Sequence, residues 1–130
     1  MNMNAEKILY KDLSYRIVGL AMQVHRELGF GFSEKVYESA MMLLLRQEGI
    51  TALQQAPISV CFRGEVVGDY YADIVIEDKI ILELESVDRI IDAHRSQVLN
   101  YLKATGFQLA IILNFSKKAL EHERLAFTRD

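Results

Sequence analysis

The spacing of hydrophobic and polar positions predicts two helices in the first part of the chain. Over residues 13–28, apolar side chains recur every three or four residues, which is typical of an amphipathic helix. A second helix is expected from near Ser33, a good N-cap residue, to about Glu48. Phe32 and Tyr37 stand at the positions of a hydrophobic staple around that helix start.

The middle of the chain changes from helical to extended periodicity. The pattern predicts three strands joined by short turns at 64–65 and 77–79, over residues 58–63, 66–76 and 80–86. In the third of these, Ile80, Leu82 and Leu84 fall on one face, whereas Glu83 and Glu85 fall on the other. The segment is therefore expected to be a central strand with two acids on a single face.

The last third predicts a helix and a further strand. Asp88 or Asp92 is placed to cap a helix that runs through Thr105, and residues 107–114 resemble a buried strand. Residues 120–128 favour a final strand over a helix. This order of elements predicts an α/β fold in which helices cover a mixed sheet of four to five strands.

Length and composition favour one intracellular domain, residues 1–130. A hydrophobic fraction of 51% with 25% charged residues excludes a disordered chain. No stretch reaches the ~18 apolar residues of a membrane helix, and charges near the start leave no signal peptide, so a cytoplasmic location is expected. The single Cys61 excludes a disulfide framework, and its apolar neighbours predict a buried, unreactive thiol.

The overall charge limits the kinds of partner. Lys and Arg number 15 against 18 Asp and Glu, which gives a net charge of −3. Because non-specific nucleic-acid binding depends on cationic surface, a nucleic-acid partner would need a local basic patch or metal ions to offset its phosphates.

Three acids are predicted to meet on one face of the sheet. Glu83 and Glu85 are ~6.7 Å apart along their strand. If the preceding turn has three residues, Ile76 lies opposite Ile80, and Asp73 then lies opposite Glu83 on the same face. A two-residue turn would separate them. Converging carboxylates suit Mg²⁺ or Mn²⁺, whereas the alternative is a solvated sheet face with ordinary acids.

Several short motifs occur in a familiar order. The chain contains Gly31-Phe-Ser-Glu34-Lys-Val-Tyr37, followed by the segments 71–75, 78–84 and 97–106. Together they resemble the GxxExxY family, which belongs to the PD-(D/E)XK nuclease superfamily. That resemblance implies a restriction-endonuclease-like αβββαβ core.

The resemblance also implies roles for individual residues. Asp73 and Glu83 match the metal-binding acids of the superfamily motif, with Mg²⁺ or Mn²⁺ as the expected cofactor. Glu34 resembles an additional acid that faces the same site. Gln97 and Tyr101, one helical turn apart, resemble the polar pair that follows the motif.

One position departs from the family pattern. The family has Glu-Leu-Lys, whereas this chain has Glu83-Leu84-Glu85. A carboxylate cannot supply the positive charge of that lysine to a phosphoryl transition state. Glu85 would instead act as an additional ligand or a general base, with the positive charge coming from the metal, Arg95 or Lys103.

Two functions stay open from the sequence. The first is metal-dependent hydrolysis of DNA, or less favourably RNA. The second is a catalytically degenerate nuclease-fold module for binding or interaction, and apolar helices such as the one carrying residues 41–45 would allow a homodimer. His94 shares a helical face with Gln97 and Tyr101 and borders the predicted site, although packing is the favoured role for it.

Overall fold

A computed structural model describes residues 9–128 of the chain. Within them lie three helices and five strands, namely α1 (Lys11–Leu28), α2 (Glu34–Gln47), β1 (Ala52–Phe62), β2 (Glu65–Ile76), β3 (Ile80–Glu85), α3 (Asp92–Thr105), β4 (Leu109–Asn114) and β5 (Glu121–Ala126). The predicted αβββαβ order is confirmed, and so is the final strand. In this part of the chain, no helix has both the length and the apolar character needed to cross a membrane.

The helix starts differ in detail from the expected caps. Ser33 occupies the N-cap position of α2 in an extended conformation, but its side chain makes no capping hydrogen bond. For α3, neither Asp88 nor Asp92 is the cap, because Ile91 holds that position and Asp92 is already helical. The N–H of Ile91 donates to Nδ1 of His94 over 3.0 Å, so a side chain from within the helix satisfies the exposed backbone donor.

The first strand is longer than predicted. It begins at Ala52 rather than at residue 58, and the following turn is formed by Arg63 and Gly64 rather than by residues 64–65. Pro57 lies inside the strand and pairs with Tyr71. A proline is tolerated there because β1 is an edge strand, so its missing N–H removes no hydrogen bond from an inner ladder.

The sheet is mixed and follows the order β1-β2-β3-β4-β5. The first three strands form an antiparallel meander, α3 then crosses over so that β4 runs parallel to β3, and β5 returns antiparallel. Ile76 lies opposite Ile80, which confirms the predicted three-residue turn and the register of the β2–β3 hairpin. This register fixes the relation between the acids of the two strands.

Both faces of the sheet are covered. Residues of α1 and α2, among them Ile17 and Met41, pack with Ile80 and Leu82 in one core cluster. On the opposite face, α3 packs against Ile81 and residues of β1, β2 and β4. Over residues 80–82 of β3 and 109–113 of β4 the sheet is therefore apolar on both sides, as these continuous aliphatic runs indicate.

Beyond the hairpin, β1 and β2 leave the sheet as a two-stranded ribbon. The pairing between β2 and β3 ends at Ile74, whereas β1 and β2 stay paired out to Phe62. The buried face also changes there, since Ile74 belongs to one core cluster and Ala72 to the other. Gln55, opposite this point, has a left-handed φ of 53°.

Cys61 lies far along the ribbon and is exposed, so the prediction of a buried thiol is wrong.

Candidate metal centre

Asp73 and Glu83 meet where β2 and β3 separate. They are the first residues past the last backbone pair, and side chains replace the ladder between them. The N–H of Asp73 donates to Oε2 of Glu83 over 2.7 Å, and the N–H of Leu84 donates to Oδ2 of Asp73 over 2.8 Å. The strand separation thus leaves backbone donors that only these two carboxylates satisfy.

Burial and mutual repulsion disfavour charge on these acids. Burial is the main cause that raises the pKa of Glu83 to about 8, and the neighbouring Asp73 carboxylate adds to it. The pKa of Asp73 is also raised, chiefly by burial, although the hydrogen bond from Leu84 opposes the shift. Glu83 is 6% exposed, so little water solvates it. Such a site is short of positive charge.

Glu85 stands at the rim of this pair, beside a histidine. Its Oε1 is 4.0 Å from Nε2 of His94, and the two side chains are 16% and 19% exposed. The pKa of Glu85 is raised to about 7, first by burial and then by the carboxylates of Glu34 and Asp73. The hydrogen bond that Nδ1 of His94 accepts leaves a proton on Nε2, which faces Glu85.

Glu34 reaches the site from the first turn of α2, and Tyr37 holds the loop before this helix in place. The hydroxyl of Tyr37 donates to the carbonyl of Gly29 over 2.7 Å and accepts from the N–H of Phe32 over 3.2 Å. Gly31 has a φ of +110°, which favours glycine. The Gly-x-x-Glu-x-x-Tyr motif therefore describes a pinned turn that presents Glu34 to the acids.

The predicted staple is present, and Tyr37 belongs to the core. Its ring meets that of Phe32 edge to face, with centroids 6.2 Å apart, and stacks on Phe115 at 4.4 Å. Tyr37 is fully buried. Its contribution to the site is therefore to position the Glu34 turn.

Glu38 is a site residue that the sequence interpretation missed. Although it lies on a helix, it is 4% exposed. The amides of Gln54 and Gln55 donate to its two carboxylate oxygens, and Gln55 also approaches Oδ1 of Asp73 at 3.5 Å. The available signal was its position four residues after Glu34, which places both acids on one face of α2.

Gln97 and Tyr101 form the wall of the site on the α3 side. Nε2 of Gln97 donates to the hydroxyl of Tyr101 over 2.6 Å, and Tyr101 is 6% exposed. Burial raises the pKa of Tyr101, and the carboxylates of Glu83 and Asp73 add to the shift. The structure thus brings this polar pair within electrostatic range of the two central acids.

The two cations expected to replace the motif lysine each have contacts of their own. Arg95 is held by Asp92 over 2.7 Å and by Glu123, and these hydrogen bonds raise its pKa. The Nζ of Lys103 lies 5.7 Å from the ring centroid of Phe127. Arg95 is therefore paired with acids outside the cluster, whereas Nε2 of His94 lies 4.0 Å from Oε1 of Glu85.

The donor set fits a hard divalent cation that binds through few protein ligands. Among residues 9–128, no three His, Cys, Asp or Glu side chains form a ready-made metal cage. Asp73 and Glu83 nevertheless present carboxylate oxygens side by side, and their repulsion would be relieved by a cation. Mg²⁺ is typically held by one or two carboxylates together with waters and substrate phosphate, which is the site that this pair can form.

Comparison with the solved structure of SSO0001 supports the fold. The structure of SSO0001 superposes with a TM-score of 0.57 and 14% identity, over 74% of this chain and 50% of that one. An alkaline exonuclease (LHK-Exo) from Laribacter hongkongensis has a TM-score of 0.47 and 12% identity, over 74% of this chain and 56% of that one. This chain therefore spans about half the length of the solved proteins it matches.

The family comparison covers most of the chain. No curated protein matches it significantly. A family model of the PD-(D/E)XK nuclease superfamily matches residues 11–125, a range that contains every site residue described above. Together with the αβββαβ order and the acids at the strand separation, this match shows that the chain belongs to the PD-(D/E)XK nuclease superfamily.

Proposed function

We propose that this chain is a metal-dependent nuclease of the GxxExxY subgroup that hydrolyses phosphodiester bonds in DNA, with RNA as the less favoured substrate. The observation that carries the proposal is the pair of Asp73 and Glu83, held together where β2 and β3 separate. In this proposal the chain acts as one nuclease-like domain.

Asp73 and Glu83 would hold the metal, Mg²⁺ or Mn²⁺, with Glu34 as the additional acid. Nucleases of this superfamily generally depend on a divalent metal. The bound ion would polarise the scissile phosphate and lower the pKa of a water for in-line attack. The hydrogen bonds from the backbone engage Oε2 of Glu83 and Oδ2 of Asp73, so Oε1 of Glu83 and Oδ1 of Asp73 are the oxygens proposed to bind the metal, and Gln55 approaches the latter at 3.5 Å.

Glu85 would accept the proton of the attacking water. Its raised pKa, about 7, matches a general base that works near neutral pH. His94 would help to orient the Glu85 carboxylate, since its Nε2 is 4.0 Å from Oε1. In this arrangement, a metal held by Asp73 and Glu83 would supply the positive charge that the missing lysine would have contributed, and Gln97 and Tyr101 would align the substrate from α3.

Calorimetric titration of Mn²⁺ tests the proposal most directly. We expect saturable binding to the wild type and its loss in Asp73→Ala. Asp69→Ala is the matched control, because Asp69 lies four residues away on the same strand but is exposed and outside the cluster. Cleavage of DNA and RNA with Mn²⁺, and its loss with a chelator, completes the test.

One result would favour the rival function, a degenerate nuclease-fold module for binding or interaction. Glu85 at the lysine position is the observation that favours it. A wild-type protein that binds no Mn²⁺ and cleaves neither DNA nor RNA would support the module and overturn the proposed nuclease. The homodimer and the cytoplasmic location stay predictions from the sequence.

A further inference from the structure

A groove lies next to the acidic centre, between the β1–β2 ribbon and α3. Its volume is about 720 Å³, within the range of small-ligand sites. Gln97 and Tyr101 belong both to the groove and to the wall of the metal centre, so the two features are continuous. A strand whose phosphate lies at Asp73 and Glu83 would therefore place a neighbouring nucleotide in this groove.

Two tyrosines give the groove an aromatic surface. The ring centroids of Tyr70 and Tyr101 are 5.9 Å apart and their planes are tilted by 46°. Tyr70 is 49% exposed, which leaves part of its ring accessible. Gly68 allows this placement, because a Cβ at that position would lie 3.2 Å from Cε2 of Tyr70.

The charges of the groove contrast with those of the site beside it. Among the residues that line it, Lys103 is the charged one, and none is an Asp or Glu. The metal centre, in contrast, gathers five carboxylates, those of Glu34, Glu38, Asp73, Glu83 and Glu85. An anionic strand therefore meets less repulsion along the groove than across the acids.

The overall charge of the chain does not favour nucleic-acid binding through a cationic surface. The net charge is −3, so counterion release would have to come from a local basic patch, and Lys103 is the one basic residue that lines this groove. Aromatic stacking is the other general source of affinity for a strand, at ~1–3 kcal/mol per base, and it needs a base that is not stacked in a duplex. Amides of Asn100 and Gln97 in the groove add donors and acceptors for a base edge.

We infer that this groove binds an unpaired nucleobase that stacks on Tyr70, so that the substrate is single-stranded nucleic acid or a strand end. The inference rests on the proposed nuclease function for the position of the phosphate. Stacking itself is a property of the groove and is measured without cleavage.

Binding of short labelled oligothymidine in Ca²⁺ tests this inference. We expect Tyr70→Ala to weaken binding by about 5- to 150-fold, the fold-change that corresponds to the loss of one stacked base. Tyr70→Phe keeps the ring and should bind like the wild type. Tyr15→Ala is the control, because Tyr15 is 82% exposed on α1 and outside the groove. Duplex DNA should bind more weakly than the single strand, and oligouridine distinguishes RNA from DNA.

Two probes report the groove directly. The chain has no tryptophan, so Tyr70→Trp introduces one fluorophore, whose emission should be quenched when oligothymidine binds. The single cysteine, Cys61, is exposed and lines the groove, so bound oligothymidine should protect it from alkylation. These two readings apply even if Tyr70→Ala folds poorly.

The outcomes separate this inference from the proposed nuclease. Oligothymidine binding that depends on Tyr70, without cleavage in Mn²⁺, would support the groove and overturn the nuclease. Three results would overturn the inference about the groove and leave the proposed nuclease standing. The first is cleavage in Mn²⁺ by Tyr70→Ala at the wild-type rate. The others are tighter binding of duplex DNA than of the single strand, and the absence of both fluorescence quenching and protection of Cys61.

Discussion

The N–H of Asp73 donates a hydrogen bond to the carboxylate of Glu83 over 2.7 Å, in place of the strand-to-strand bond that ends one residue earlier. The side chain of Asp73 in turn accepts from the N–H of Leu84. In the metal-free protein the two carboxylates therefore help to hold β2 and β3 together. They also remain repelled by each other and by their acidic neighbours, which sets the pH behaviour of the fold.

The stability of the metal-free protein should fall as pH rises from about 5 to about 8. Glu83 has a pKa of about 8 in the folded protein and an ordinary pKa of 4.5 when unfolded, so the folded state holds the proton over this interval. Protonation then stabilises the fold below pH 4.5, and that contribution is lost as pH rises through 8. Thermal unfolding in chelator over this pH range measures the fall.

Two comparisons isolate Glu83 as the cause. Glu83→Gln mimics the protonated acid and still accepts a hydrogen bond, so its melting temperature should change less with pH. Mn²⁺ should restore the stability of the wild type most strongly at the alkaline end, because it binds the ionised carboxylates. A wild-type stability that rises between pH 5 and 8 in chelator would contradict the raised pKa.

Glu85→Gln should lower kcat by about 10²- to 10⁴-fold, the range typical of a lost general base. Mn²⁺ affinity should stay within a few-fold of the wild type, because Asp73 and Glu83 remain. Single-turnover cleavage and Mn²⁺ titration on the same preparation measure both quantities. Loss of Mn²⁺ affinity with little change in the rate at saturating metal would identify Glu85 as a ligand instead.

His94→Gln should reduce cleavage without destabilising the protein. A glutamine at this position of a helix start can still accept the N–H of Ile91, as in a capping box, but it removes the imidazole beside Glu85. We expect a rate lower by about ten-fold, smaller than the effect of Glu85→Gln because His94 acts by orienting the base.

His94→Ala provides the matched comparison. It removes both the imidazole and the acceptor for Ile91, so it should lose stability by ~0.5–2 kcal/mol as well as activity. Equal melting temperatures for His94→Ala and the wild type would show that the hydrogen bond to Ile91 contributes nothing measurable.

The hairpin register was predictable because the aliphatic residues determine it. A shift by one residue in β2 or β3 would move Ile74 and Ile76 out of the core beneath α1 and α2, so the hydrophobic pattern leaves one favourable pairing. The same register places Asp73 next to Glu83. The nearness of these two acids therefore followed from residues that take no part in the chemistry.

The burial of Glu38 and the exposure of Cys61 were not predictable from local sequence. In the sequence, Glu38 resembles an ordinary exposed glutamate on a helix. The packing of β1 against α2 brings Gln54 and Gln55 into contact with it. Cys61 lies in an apolar run, yet the ribbon carries that run past the end of β3. The first depends on how a helix packs against a strand and the second on where strands stop pairing, and side-chain periodicity encodes neither.

Tyr37→Phe should test whether the tyrosine of the Gly-x-x-Glu-x-x-Tyr motif stabilises the turn that carries Glu34. The phenylalanine keeps the stack on Phe115 but leaves the carbonyl of Gly29 and the N–H of Phe32 without the tyrosine hydroxyl. We expect the free energy of unfolding to fall by ~1–3 kcal/mol, the usual cost of a buried polar group left unpaired.

The same substitution should also weaken Mn²⁺ binding, because the freed turn no longer fixes Glu34. Tyr15→Phe is the control, since Tyr15 is 82% exposed and its hydroxyl lies in solvent. Chemical denaturation and Mn²⁺ titration of both variants measure the two effects. If Tyr37→Phe loses stability but binds Mn²⁺ like the wild type, then the hydrogen bonds of Tyr37 do not position Glu34 for the metal, and the proposed role of the turn is wrong.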